Sequence, residues 1–168
     1  MTAPRQEGNG RRPGIALIAL FAGLGMLSGL PRAVHAATTE RVVANRFSGL
    51  AIEGFDPVAY FADAKAEIGR EEFEASEAGV VWRFCNEGNR AAFVAHPDIY
   101  GPQFGGYDPV DVARGVAVAG NPNFWLVTGQ RLYLFSREQA RDAFAADSAR
   151  ILRIAKLRWP RLRQTLGR

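Results

Sequence analysis

Cysteine is almost absent from this chain: Cys85 is the one example in 168 residues. A single thiol closes no internal disulfide, so packing must hold the fold together. One sulfur also cannot build a soft-metal site of thiolates, which needs two or more converging on one ion. Histidine is nearly as scarce, with His35 and His96 the two present. Ser-His-Asp or Cys-His catalysis in the body of the chain would have to run through His96. That residue sits before Pro97 at a helix end, where satisfying terminal carbonyls is the simpler role. The Gly105-Gly106 pair could form an anion-binding nest, but no Gly-Lys-Ser/Thr follows it, so it reads as a structural turn rather than a phosphate loop. No internal repeat, low-complexity tract or linker is read.

A surplus of positive charge is also missing once the first residues are set aside, although the formal net charge is +4. Met1 to Pro13 is polar and carries Arg5, Arg11 and Arg12. Gly14 to Leu30 is apolar and uncharged, Pro31 breaks it, and Ala33 to Ala36 offers small residues. That is the anatomy of a secretory signal, cleaved after Ala36. A retained membrane anchor is the competing reading. Pro13 and Gly14 follow the paired arginines, which favours the ordinary secretory route over twin-arginine export. The leader takes four arginines and Glu7 with it, leaving 17 basic and 16 acidic residues, a net charge of +1. A nucleic-acid partner thereby loses its main support. The expected location is the periplasm, and no cysteine follows the apolar run to carry a lipid anchor.

What remains predicts one α+β domain. Residues 37–49 form a polar lead-in. Asp56 caps a short helix and Pro57 suits its first position. Glu71 to Ser76 and Gly79 to Cys85 alternate about a Gly-containing turn and predict a hairpin, with Val80, Trp82 and Phe84 on one face. Asn86 caps a helix over Glu87 to Ala95 that His96-Pro97 ends. Asp108-Pro109 repeats the cap-and-proline logic for a helix over Pro109 to Gly115. Asn123 to Phe135 predicts a second hairpin, turning at Gly129-Gln130. Ser136 to Gln139 reads as a capping box opening a long C-terminal helix. Asp147-Ser148 is a candidate break in it, and Pro160 is expected to kink or end it. The fold class is small antiparallel hairpins packed with short helices and one long C-terminal helix.

Four segments in this order, Gly54–Phe61, Trp82–Phe93, His96–Tyr107 and Arg158–Pro160, make the chain resemble the YHS-domain proteins, in particular their exported single-domain bacterial branch. The resemblance covers residues 50–160. It implies a small module related to metal-binding, treble-clef-like domains of copper-handling proteins and metal-transporting ATPases. Metal-type members carry one cysteine after Asp-Pro-Val, a second in a Phe-Cys pair and a third at the start of the next helix. Those positions here are Ala59, Cys85 and Asn89. The exported branch usually adds a cysteine after Gly-Gly-Tyr, where this chain has Asp108. The resemblance thus implies the fold, with a degenerate metal site; a transition metal follows from it alone.

Asp56, Tyr60, Cys85, Tyr107 and Asp108 are the candidate ligand-pocket residues; if they line one cavity, it is a mixed polar and aromatic one suited to a small ligand. Cys85 is either a thiol activated at a helix start or a small packing residue, and packing is the commoner fate. No catalytic residue is assigned. The leading expectation is an exported, non-catalytic binding domain with a role in envelope metal or redox handling, its partner a small ligand or an envelope protein. The alternatives are an enzyme using Cys85 or an Asp56/Asp108 carboxylate pair, and an interaction module working through its basic end. Residues 150–168 carry seven basic side chains and no acidic one. Such a segment suits an anionic membrane surface, or docking of its apolar face on the domain.

Overall fold

A computed structural model describes residues 42–166; the expected leader, the expected cleavage after Ala36 and the start of the expected lead-in lie outside the described residues. The architecture is α+β, two antiparallel hairpins with short helices and a long C-terminal helix. In the first hairpin, β1 (Arg70–Glu77) pairs with β2 (Val80–Phe84). Ala78 and Gly79 both take positive φ at the turn, matching the twist of the strands it joins. Alternation along β2 buries Val80, Trp82 and Phe84 and turns Arg83 outward. Arg83 there meets Glu74 at 2.8 Å and Glu71 at 3.0 Å. Asn86 then caps α2 (Glu87–Ala95), its side chain accepting from the N–H of Asn89 at 2.9 Å. Phe93 on the inner face of α2 packs on Trp82 and Phe84, with ring centroids 4.8 and 5.2 Å away. A short α3 (Pro97–Tyr100), absent from the sequence expectations, follows the break at His96.

An internal repeat is present after all. Ahead of the first hairpin stand a left-handed turn at Ile52–Gly54, the Asp56 cap and α1 (Ala59–Ala62). Ahead of the second stand a left-handed turn at Phe104–Gly106, the Asp108 cap and α4 (Pro109–Arg114). The second hairpin, β3 (Asn121–Thr128) with β4 (Arg131–Phe135), has its register shift between Asn121 and Trp125, as the first has between Arg70 and Glu74. α5 (Glu138–Ala146) answers α2, and Phe144 packs on Phe135 as Phe93 packs on Phe84. Even the close approaches recur. A Cβ on Gly69 would fall 2.4 Å from the Arg83 carbonyl carbon, and one on Gly120 would fall 2.6 Å from the Leu134 Cβ. Glycine is required at both places because the strand end crosses directly over its partner.

The two units share β4, which is buried on both faces. Leu132 and Leu134 join Tyr60, Trp82, Phe84 and Phe93 in one cluster. Tyr133 and Phe135 join Phe144 and Ile151 in the other. The lead-in is less polar in effect than its sequence suggests. Val42 and Ala44 pack against the first cluster, and the N–H of Val43 donates to Gly105 O at 2.7 Å.

Two end signals are corrected. The capping box at Ser136 does not form: the residue preceding α5 is Arg137, with no side-chain cap bond, because the Ser136 hydroxyl is drawn to Asp108 instead. Pro160 does not end the last helix: α6 (Ser148–Thr165) runs through it, so residues 161–165 are helical, and Asp147 caps its start. Contacts on both sides hold it: Trp159 stacks near Phe104 and Tyr107, both 5.8 Å away by centroid, and Leu162 and Leu166 are partly covered. These outweigh the one backbone bond a proline omits.

Candidate functional site

The chemistry of the first unit gathers on one carboxylate. Asp56 is 0% exposed. Its Oδ1 accepts from the N–H groups of Val58 at 2.8 Å and Ala59 at 3.3 Å, the expected helix cap. Its Oδ2 turns the other way, accepting from the Cys85 N–H and from the Asn89 side-chain amide, each at 2.7 Å. Its own N–H donates to Glu67 O at 2.8 Å. The side chain therefore ties α1, the end of β2 and α2 together, and the backbone of the same residue adds the approach to β1. The positions assigned by resemblance to metal-type cysteines, Ala59, Cys85 and Asn89, are the ones that meet here.

Asp108 does the same for the second unit. It too is 0% exposed. Its Oδ1 accepts from the Val110 N–H at 2.8 Å, and its Oδ2 from both the N–H and the hydroxyl of Ser136 at 2.8 Å. Ser136 occupies the place of Cys85, and its hydroxyl supplies the bond that Asn89 supplies in the first unit. Asp111, in the place of Ala59, is buried and paired with Arg137 at 3.0 Å and Arg114 at 3.3 Å. None of Ser136, Asp111 and Arg137 was selected from the sequence. The signal that finds them is the repeated Gly-aromatic-Asp-Pro-Val, once its downstream hairpin is aligned.

By their hydrogen bonds the five candidate residues fall into two constellations. Asp56, Tyr60 and Cys85 belong to the first unit; Tyr107 and Asp108 belong to the second. The Tyr60 hydroxyl donates to Pro122 O at 3.0 Å, its ring lies edge-on to Trp125 at 5.2 Å, and it is almost wholly enclosed. Burial, then the charges of Asp56 and Glu53, push its phenol well above the ordinary range. Tyr107 lies against Trp159 and lines a cavity of about 580 Å³ with Val43, Arg46, Val80 and Leu166. His96 is exposed, and its backbone N–H, not its ring, closes α2 onto Ala92 O and Phe93 O.

Cys85 is partly buried, with Sγ 3.7 Å from Glu67 Oε2 and 3.8 Å from Ile68 O. Burial first, then the Asp56 and Glu67 carboxylates, push its thiol from 9.0 up to about 12. The negative neighbours overcome whatever a helix start offers a thiolate. Because the pKa is raised on folding, the contribution to stability is complete below pH 9.0 and is lost as pH climbs toward about 12. Folded protein should therefore react with a thiol reagent at pH 7 at least about a hundredfold more slowly than protein in urea. Comparable rates for the two states would mean an open, activated thiol.

Compared with protein-family models, with curated proteins and with solved structures, the chain matches none.

Proposed function

We propose that the chain is an exported, non-catalytic binding domain of the YHS type, working in the bacterial envelope on a small ligand or a protein partner. One observation carries this reading: the groups that could do chemistry are spent on architecture. Both oxygens of Asp56 and of Asp108 are filled by donors from their own unit, and the two carboxylates share no hydrogen-bond partner. General acid or base work needs a carboxylate that can reach a substrate proton, and these face inward. Cys85 is held as a thiol beside two carboxylates, far from the low-pKa, electropositive setting of a nucleophile. A role in metal or redox handling rests on the resemblance alone.

The residues at the family's ligand positions do not fit a thiolate-held transition metal. They are a methyl group at Ala59, a protonated thiol at Cys85 and an amide at Asn89 already bonded to Asp56. Metal analysis of untagged protein recovered from the periplasm should find copper and zinc well below one equivalent. Stoichiometric metal that disappears on Cys85→Ala would overturn the reading and restore a metal centre. Turnover abolished by the same substitution would favour the enzyme.

A further inference from the structure

The last helix carries much of the positive charge, and nothing in the two carboxylate constellations uses it. Residues 150–168 hold seven basic side chains and no acidic one, whereas residues 37–149 hold ten basic and sixteen acidic. The chain is polarised: an acidic body bears a basic rod. On α6, Ile151 and Ala155 are buried and Leu152, Trp159 and Leu162 partly so, which defines the inward face. The ridge opposite, at one-turn spacing, reads Arg153, Leu157, Arg161, and all three are exposed. Leu157 at its centre is 77% exposed. Beside it, the end of α4 leaves a groove of about 450 Å³ lined by Gly115, Leu157, Arg158, Arg161 and Leu162. Val116, next to that glycine, is 54% exposed. Arg158 is committed to the fold, donating to Ala113 O at 2.8 Å. Among the described residues, the side chains of Lys156 and Arg161 make no hydrogen bond or ion pair.

We propose that this face docks on an anionic lipid bilayer, with Leu157 and Val116 entering the headgroup boundary and Arg153, Lys156 and Arg161 meeting lipid phosphates. Charge complementarity names the occupant. A run of cations with no acid among them asks for a continuous negative surface, and anionic headgroups offer one. The isolated leucine between two arginines suits an interface that is charged outside and apolar just beneath. No helix among the described residues is long and apolar enough to cross a membrane, so α6 lies on the bilayer rather than through it. The face is remote in sequence from the Asp56 constellation, so its failure would leave the proposed function standing.

The test uses untagged protein exported with its own leader and recovered from the periplasm, sedimented with phosphatidylcholine vesicles with or without phosphatidylglycerol. Every variant is exported and recovered in the same way, so differences between variants report on α6. Binding to the anionic vesicles should weaken by about tenfold or more in Arg153→Glu/Arg161→Glu. It should weaken by roughly threefold or more in Leu157→Ser, which removes the apolar contact while leaving the charge. Raised salt should erode the difference between the two vesicle types. All of these positions are exposed, and unchanged melting temperatures will confirm that the variants fold. Charge-reversed protein that binds anionic vesicles within about twofold of wild type would overturn the proposal. So would salt-sensitive oligomers that the same reversal dissolves without moving vesicle binding, since the rod would then meet the acidic body of a second copy.

Discussion

Asp56→Ala is expected to unfold the domain or bring it to the edge of unfolding. The substitution strands four donors at once: the N–H groups of Val58, Ala59 and Cys85 and the amide of Asn89. Each buried donor left without an acceptor costs about 1–3 kcal/mol, and bonds to a charged acceptor sit at the upper end. Water admitted to the gap will recover part of that, so a net loss of about 4–6 kcal/mol is expected. Domains of this size are stable by only about 5–15 kcal/mol in all. Asp56→Asn should be milder but still severe, because an amide nitrogen in place of either oxygen would point a donor at donors. Urea titrations followed by tryptophan fluorescence measure both. A loss under about 1 kcal/mol for the alanine variant would mean that the carboxylate is not the tie that its geometry describes.

How much of this was legible depends on how local the signal is. Asp56 and Asp108 were readable as caps because Asp-Pro is a local pattern whose partners lie two and three residues on. The first hairpin was readable because Val80, Trp82 and Phe84 alternate, and both because each turn pair holds a glycine, Gly79 or Gly129, that takes positive φ without strain. The second duty of each aspartate was not readable, since the Oδ2 partners Cys85, Asn89 and Ser136 arrive from a strand end and a helix start far along the chain. Ser136 shows the cost of trusting a local pattern. Ser-x-x-Gln matches a capping box, but a buried carboxylate is a stronger acceptor for its hydroxyl than a helix terminus is a reason to cap. Pro160 failed as a stop for a related reason: ring packing of Trp159 on the turn before α4 is invisible in the run around it. The repeat itself was within reach. Gly-Phe-Asp-Pro-Val and Gly-Tyr-Asp-Pro-Val stand in plain view, and in the register that matches Cys85 with Ser136 the helices that follow share Glu87/Glu138, Arg90/Arg141, Ala92/Ala143, Phe93/Phe144 and Ala95/Ala146. The strands between keep little beyond Gly69/Gly120, Phe73/Phe124 and Phe84/Phe135, which hides the register.

That divergence yields the sharpest expectation for the Cys85 stretch. From the sequence, replacing a packed thiol by a hydroxyl should cost about 1–3 kcal/mol. The second unit reverses the argument, because it carries serine at the matching position and uses that hydroxyl to fill the oxygen that Asn89 fills in the first. Cys85→Ser alone should therefore cost less than about 1 kcal/mol, with Asn89 still in place and the new hydroxyl able to find Asp56 or water. Asn89→Ala alone removes a bond to a buried charged acceptor and should cost about 2 kcal/mol. In the double variant the serine can turn onto Asp56 Oδ2, and the first unit then has the donor set of the second, in which Ala140 stands where Asn89 does. The pair should recover about half or more of the Asn89→Ala loss, a coupling of about 1 kcal/mol in a double-mutant cycle. Strict additivity of the two changes would show that the units resemble one another in trace only, with the hydroxyl unable to reach the carboxylate. Recovery would show that the two units are interchangeable solutions to one problem, the satisfaction of a buried aspartate at a strand-to-helix junction.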